Sequence, residues 1–96
     1  MPTYITMLKW TPSGIQNIKG SPGRLDQARA QFASMGVTLK DVYLTMGRHD
    51  LICVLEGPDS QTIAKAVLGL ATAGSVTTET LAAFSENEYR SIINSL

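Results

Sequence analysis

Four stretches of the chain place apolar and polar side chains on alternating sides, and this period of two predicts β-strands. The predicted strands cover Thr3–Trp10, Val37–Met46, Leu51–Glu56 and Ser75–Phe84. The tetrapeptide Gly47-Arg48-His49-Asp50 separates the second strand from the third. So short a connection favours an antiparallel hairpin.

Between the strands, apolar residues recur at spacings of three and four, which predicts amphipathic helices. The first helix starts at Ser21 and Pro22, with Ser21 as its N-cap, and ends at Gly36. The second helix is capped by Asp59 and runs to about Thr72. The element order is therefore β-α-β-β-α-β. This order is typical of a ferredoxin-like α+β fold, with an antiparallel four-stranded sheet and both helices on one face.

A terminal helix follows the last predicted strand and opens with a capping box between Ser85 and Glu88. Its apolar stripe consists of Tyr89, Ile92, Ile93 and Leu96. The length of 96 residues is that of one domain, so we expect residues 1–96 to form a single domain that includes this helix.

Both faces of the predicted sheet are apolar. Leu51 and Leu55 point one way along the third strand, while Ile52 and Val54 point the other way. A sheet with helices on one face usually has a polar second face. An apolar second face needs a cover, and we expect a second copy of the chain, packed sheet to sheet under two-fold symmetry. The alternative is that the terminal helix folds back over part of this face.

The composition supports a buried second face, because only 17% of the residues are charged. Eight basic and eight acidic residues give a formal net charge of zero, which argues against nucleic-acid binding. The single cysteine, Cys53, cannot form an internal disulfide and is expected to be a buried thiol. The sequence contains neither a membrane-spanning run nor a recognisable signal peptide, so the expected location is the cytoplasm, without membrane contact.

Five residues are candidates for a ligand site: Trp10, Tyr43, Thr45, His49 and Glu79. Trp10 lies at a strand end, where it forms either a pocket wall or part of the core. If the strand faces that carry Trp10, Tyr43 and Thr45 meet, they form a polar island between apolar walls, which is typical of a small-molecule site. His49 is either a solvated turn residue or a pocket base, and Glu79 is either a buried acid or a solvated charge. With one histidine in the chain, we expect no metal site and no cofactor.

An ordered set of short motifs resembles the GYD domain family along essentially the whole chain. The motifs are Pro2-Thr3-Tyr4, Trp10-Thr11, Gly14, Asn17-Ile18, Ser21-Pro22, Arg24, the run Val42-Tyr43-Leu44-Thr45-Met46-Gly47, Asp50, Pro58-Asp59, Thr78, Thr80, Leu81, Ala83-Phe84 and Glu88. Histidine stands at position 49, where the family's Gly-Tyr-Asp-like turn has tyrosine. The resemblance implies a ferredoxin-like domain that pairs into a dimeric α/β barrel, and it implies no established biochemical role.

Two functional hypotheses follow, since no catalytic constellation is visible. The first is a homodimeric module that binds a small, partly apolar molecule or a partner protein without catalysis. The second is a cofactor-free enzyme of the monooxygenase or isomerase type, with Trp10, Tyr43, His49 and Glu79 lining a site between the sheet and the helices. A purely structural assembly subunit is a third hypothesis.

Overall fold

The computed structural model describes residues 1–96 and contains four strands and four α-helices. In chain order these are β1 (Thr3–Trp10), α1 (Pro12–Gln16), α2 (Ser21–Ser34), β2 (Thr38–Leu44), β3 (Leu51–Glu56), α3 (Ser60–Ala71), β4 (Val76–Ala83) and α4 (Glu86–Asn94). A single 3₁₀ turn, Ile18–Gly20, leads directly into α2. None of the helices combines the length and the apolar character that crossing a membrane requires.

The sheet has the strand order β2-β3-β1-β4, and each neighbouring pair is antiparallel. This topology confirms the predicted ferredoxin-like α+β fold with its antiparallel four-stranded sheet. An irregularity in register between Leu39 and Asp41 interrupts the pairing of β2 with β3. Within one chain the sheet is open, so the dimeric barrel stays a prediction.

Helices α2 and α3 cover one face of the sheet and bury the core against it. The core combines residues of β1 and β3, such as Leu8 and Leu55, with Phe32 of α2 and with Ile63 and Val67 of α3. Alternation along β1 sends Tyr4, Thr6 and Leu8 into this core, while Ile5 and Met7 point to the opposite side.

The helix ends follow the local signals in the sequence, with one exception. The carboxylate of Asp59 accepts the Thr62 N–H at 2.8 Å and caps α3, as predicted. The predicted capping box of α4 is also present. Ser21 is not the N-cap of α2, because the 3₁₀ turn continues directly into the helix and places Gly20 at that position.

Helix α1 ties the end of β1 to the segment that precedes β4. The Thr11 N–H donates to Ser75 O at 3.0 Å, and Thr11 Oγ1 donates to Gly74 O at 2.6 Å. Gly14 lies against the same segment, and a β-carbon at this position would collide with the backbone oxygen of Ser75. The absence of a side chain at Gly14 therefore permits this close approach.

The other face of the sheet, called the open face below, has no cover within the chain. Its centre is apolar and consists of Ile5, Met7, Ile52, Val54 and Leu81. Helix α4 leaves this face bare, since every residue of α4 is exposed, including its whole apolar stripe. The predicted alternative, in which the terminal helix folds back, is therefore not the arrangement of this chain.

We expect the Gly14→Ala variant to lose about 1–3 kcal/mol of unfolding free energy, because the backbone of Ser75 cannot move as a side chain can. Gly23→Ala is the matched control. Nothing lies near the added methyl in α2, so this variant should gain up to about 1 kcal/mol from helix propensity. Urea unfolding followed by circular dichroism measures both, and equal stabilities would contradict the close packing of α1.

Candidate functional site

Three of the five predicted site residues lie on strands, at different faces of the sheet, and the other two, Thr45 and His49, lie in the loop between β2 and β3. Trp10 pairs with Val76 and belongs to the helix-covered face, as does Thr6. Tyr43 and Glu79 belong to the open face, because Tyr43 pairs with Ile52 and Glu79 pairs with Met7. Trp10 and Tyr43 therefore do not share one polar island.

His49 and Glu79 come together at the edge of the open face. His49 Nε2 lies 3.7 Å from Glu79 Oε1, a separation that forms a salt bridge when the imidazole is protonated. The Glu79 side chain is 60% exposed, whereas that of His49 is 23% exposed. Of the two roles considered for Glu79, the structure fits the solvated charge and excludes the buried acid. An ion pair this accessible contributes little to stability.

Thr45 and Asp50 give the loop between β2 and β3 its shape. Thr45 Oγ1 donates to His49 O at 2.6 Å, and the Thr45 N–H donates to Asp50 O at 2.8 Å. The Asp50 carboxylate accepts the backbone N–H of Trp10 at 2.9 Å. Thr45 therefore holds the loop closed, and Asp50 anchors the end of β1 beside Trp10.

A cavity of about 540 Å³, called the helix–sheet cavity below, lies between the sheet and helices α2 and α3. Its lining is mainly apolar. The sheet contributes Thr6, Leu8, Trp10, Leu39, Leu51, Cys53, Leu55 and Val76. Polar residues from α2 and from the segment around the end of α3 complete it: Ser21, Arg24, Gln27, Gln31, Thr72 and Ser75. Ligand sites commonly have this size and this mixture of an apolar wall with a few polar groups.

Arg24 is the functional candidate that the sequence analysis did not single out. Its Nη1 donates to Asn17 O at 2.8 Å, while its Nη2 is buried and has no hydrogen-bond partner. A signal was present in the sequence, because Arg24 lies near the start of α2, where the helix dipole disfavours a cation. Among eight scattered basic residues that signal is weak.

Cys53 lies on the sheet side of the helix–sheet cavity and is buried, as predicted. Burial raises the pKa of its thiol from 9.0 to about 11, and the positive charge of Arg29 opposes this shift. The thiol is therefore protonated at neutral pH. As the pH rises above 9, the unfolded chain loses this proton first, so the thiol's contribution to stability is lost in alkaline solution.

No group of three or more His, Cys, Asp or Glu side chains is arranged to hold a metal ion. Of the residues that carry candidate chemistry, only Trp10, Cys53 and Arg24 border the helix–sheet cavity. His49 and Glu79 lie outside it. The structure therefore has a cavity on one side of the sheet and an apolar surface on the other.

A model of the GYD domain matches residues 4–93 of the chain. The chain belongs to the GYD domain family. This confirms the resemblance inferred from the short motifs. In this GYD chain, the loop between β2 and β3 places His49 beside Glu79.

The chain is similar to the glutamine synthetase and cystathionine beta-lyase binding protein of Thermus thermophilus. It is 34% identical over 84 residues, which cover 86% of this GYD chain and 88% of the relative. The similarity therefore extends over nearly the full length of both proteins.

Two crystal structures share the fold at low sequence identity. MtbAldR has a TM-score of 0.69 and 16% identity over 88% of this chain, which spans about half (52%) of MtbAldR. TTHA0845 from Thermus thermophilus has a TM-score of 0.57 and 22% identity, with 88% of this chain and 95% of that chain covered. At these identities the similarity supports the fold alone.

We expect native Cys53 to react with iodoacetamide about 100-fold more slowly than the unfolded chain at pH 8, because a pKa near 11 leaves little thiolate. Mass spectrometry over time, with and without guanidinium, gives the two rates. Equal rates in both states would show that the thiol is neither buried nor shifted.

Proposed function

We propose that this protein is a homodimeric interaction module, a single domain acting in the cytoplasm, whose two open faces pack together to form a dimeric α/β barrel. The observation that carries the proposal is the apolar centre of the open face. Five apolar residues meet there across three strands, whereas polar and charged residues such as Asp41, Glu56 and Glu79 lie around them. An apolar centre inside a polar rim is typical of protein interfaces.

The size of the open face supports a second copy as its cover. Four strands spaced by about 4.8 Å, with a rise of about 3.3 Å per residue, give a face of roughly 500 Å² per chain. Two such faces together reach the roughly 1,000 Å² that a specific interface needs. A two-fold axis that lies between the two sheets, parallel to their faces, packs each apolar centre against its own copy.

Helix α4 extends this interface beyond the sheet. It follows β4 after two residues, Phe84 and Ser85, and none of its residues is buried within the chain. The chain is 49 Å long but only 17 Å thick, which is consistent with a projecting terminal element. In the dimer, the apolar stripe of each α4 packs against the partner copy.

The partner that we propose beyond the dimer is an enzyme of amino-acid metabolism. The support is the Thermus thermophilus relative, whose name describes binding to glutamine synthetase and cystathionine beta-lyase. The loop between β2 and β3 offers an apolar contact for such a partner, because Met46 at its start is 100% exposed. Methionine is common at surfaces that bind other proteins, since its side chain adapts to different shapes.

We expect Leu81→Glu to convert the dimer into a folded monomer, because it places a carboxylate at the centre of the proposed interface. Leu81 is 48% exposed within one chain, so the fold itself should accept the change. Leu68→Glu is the matched control, since Leu68 is 65% exposed on α3 and lies on the other side of the molecule. Light scattering after size-exclusion chromatography measures the mass. A wild-type particle of 10.3 kDa at micromolar concentration would refute the dimer.

We expect the wild-type protein to bind glutamine synthetase or cystathionine beta-lyase of its own host, measured by biolayer interferometry with the purified enzymes. Met46→Glu should weaken that binding by about tenfold or more while leaving the dimer intact. Leu68→Glu should bind as the wild type does. Absence of binding to both enzymes would contradict the proposed partner class without affecting the dimer.

A second function, binding of a small and partly apolar molecule, is favoured by the helix–sheet cavity. Its volume of about 540 Å³ lies within the range of ligand sites, and Trp10 forms part of its wall. The catalytic hypothesis has less support, because His49 and Glu79 lie on the open face and outside this cavity. If substrate screening finds turnover, His49→Ala and Glu79→Ala should abolish it, and unchanged activity in both would exclude those catalytic roles.

A further inference from the structure

We propose that the ligand of the helix–sheet cavity is an uncharged molecule with an apolar body and only neutral polar groups, such as an aliphatic alcohol, ether or ketone. This inference rests on the second proposed function, the binding of a small molecule, and adds the chemical class of the ligand. It is independent of the dimer and of the enzyme partners.

The inner part of the cavity is apolar. The buried residues of its lining are Thr6, Leu8, Ala28, Phe32, Leu39, Cys53 and Leu55. All except Thr6 belong to the hydrophobic core, and Thr6 Oγ1 already shares a hydrogen bond with Thr80 Oγ1 at 3.0 Å. A molecule at this depth therefore gains its affinity from apolar surface that leaves water.

Arg24 does not supply a charge to the cavity, although part of this residue borders it. Arg24 Nη1 donates to Asn17 O at 2.8 Å, and a β-carbon at Gly20 would lie 3.2 Å from the same nitrogen. Neither Asn17 nor Gly20 lines the cavity. Nη2 is buried, so a molecule in the cavity cannot reach this nitrogen either.

No other group of the lining is charged at neutral pH. The lining contains no Asp, Glu, Lys or His. The one further ionisable side chain is Cys53, and burial raises the pKa of its thiol to about 11, which keeps the thiol protonated. A charged ligand would therefore give up its hydration shell without gaining a counterion, and this transfer is strongly unfavourable.

The mouth of the cavity is also uncharged. The exposed residues of the lining mark this mouth, and they are Gln27, Ala30, Gln31, Gly69, Thr72 and Ala73. Gln27 and Gln31 lie one helical turn apart on α2, and each amide can both donate and accept a hydrogen bond. They suit a hydroxyl, ether or carbonyl oxygen of a neutral ligand.

The test is a titration with three probes that share two butyl arms and differ in the central group: dibutylcarbinol, dibutylammonium and the dibutylacetate anion. A central charge is informative because no orientation encloses both arms while the charge stays in bulk water. Trp10 is the only tryptophan and lines the cavity, so its fluorescence reports occupancy. We expect dibutylcarbinol to bind about tenfold or more tightly than either ion at neutral pH, because only the ions lose hydration without a counterion.

A Gly69→Leu variant tests whether the probes bind in this cavity. Gly69 lines the cavity, and an added β-carbon there meets no neighbouring atom, so the fold should accept the side chain. We expect this variant to lose about fivefold or more in affinity for dibutylcarbinol, because leucine occupies volume that the ligand needs. Gly23→Leu is the matched control, since Gly23 has the same free space on α2 but does not line the cavity. Circular dichroism of both variants verifies that the helices are intact.

The outcomes separate this inference from the function on which it rests. If either ion binds as tightly as dibutylcarbinol, the cavity binds small molecules but the preference for uncharged ligands is wrong. Tighter binding of dibutylacetate would show that the charge of Arg24 does reach the cavity, and it would overturn the inference. If Gly69→Leu and Gly23→Leu both bind dibutylcarbinol as the wild type does, or if neither fluorescence nor calorimetry detects binding of any probe, both the inference and the small-molecule function are overturned.

Discussion

The sheet of this protein has two apolar faces, whereas the chain has helices to cover only one. Burying Ile5, Ile52 and Val54 is as favourable per unit area as burying the residues beneath α2 and α3. The chain covers one side with its own helices and leaves the other side uncovered. The buried core on one side of the sheet and the uncovered open face on the other both follow from this imbalance between apolar surface and available cover.

The same sheet also separates the helix–sheet cavity from the open face. Alternation along each strand sends one residue to the helices and the next to the open face, so the two surfaces share a backbone but no side chains. Thr6 and Trp10 therefore belong to the cavity, while Met7 and its neighbours belong to the open face. A molecule bound in the cavity and a second copy on the open face would not compete for the same residues.

The backbone bonds at the strand ends connect these features. Asp50 holds the N–H of Trp10, and Thr11 holds the segment at Gly74 and Ser75. Both anchors act at the same end of β1, where the helix–sheet cavity and the loop of His49 lie back to back. Glycine at position 14 lets α1 approach the segment before β4, since a side chain there would collide with the backbone of Ser75.

Much of the fold was predictable because local patterns determine it. The period of two in β1 and the cap at Asp59 depend on near neighbours in the chain, and both were predicted correctly. The limit of β2 was predicted less well, because its strand ends at Leu44 where the loop bonds of Thr45 take over. Ser21 was predicted as a cap because Ser followed by Pro is a common helix start, but the 3₁₀ turn before it runs directly into α2 and places Gly20 at that position.

The sequence by itself determined the order of the elements, the two apolar faces of the sheet and the membership of the GYD family. Only the tertiary structure decided which candidates share a site. It separated Trp10 from Tyr43, joined His49 to Glu79 and brought Arg24 to an apolar cavity. Such contacts depend on strand order and on the faces to which distant residues point. That information exists only once long-range pairing has placed β4 beside β1 and the helices on one side.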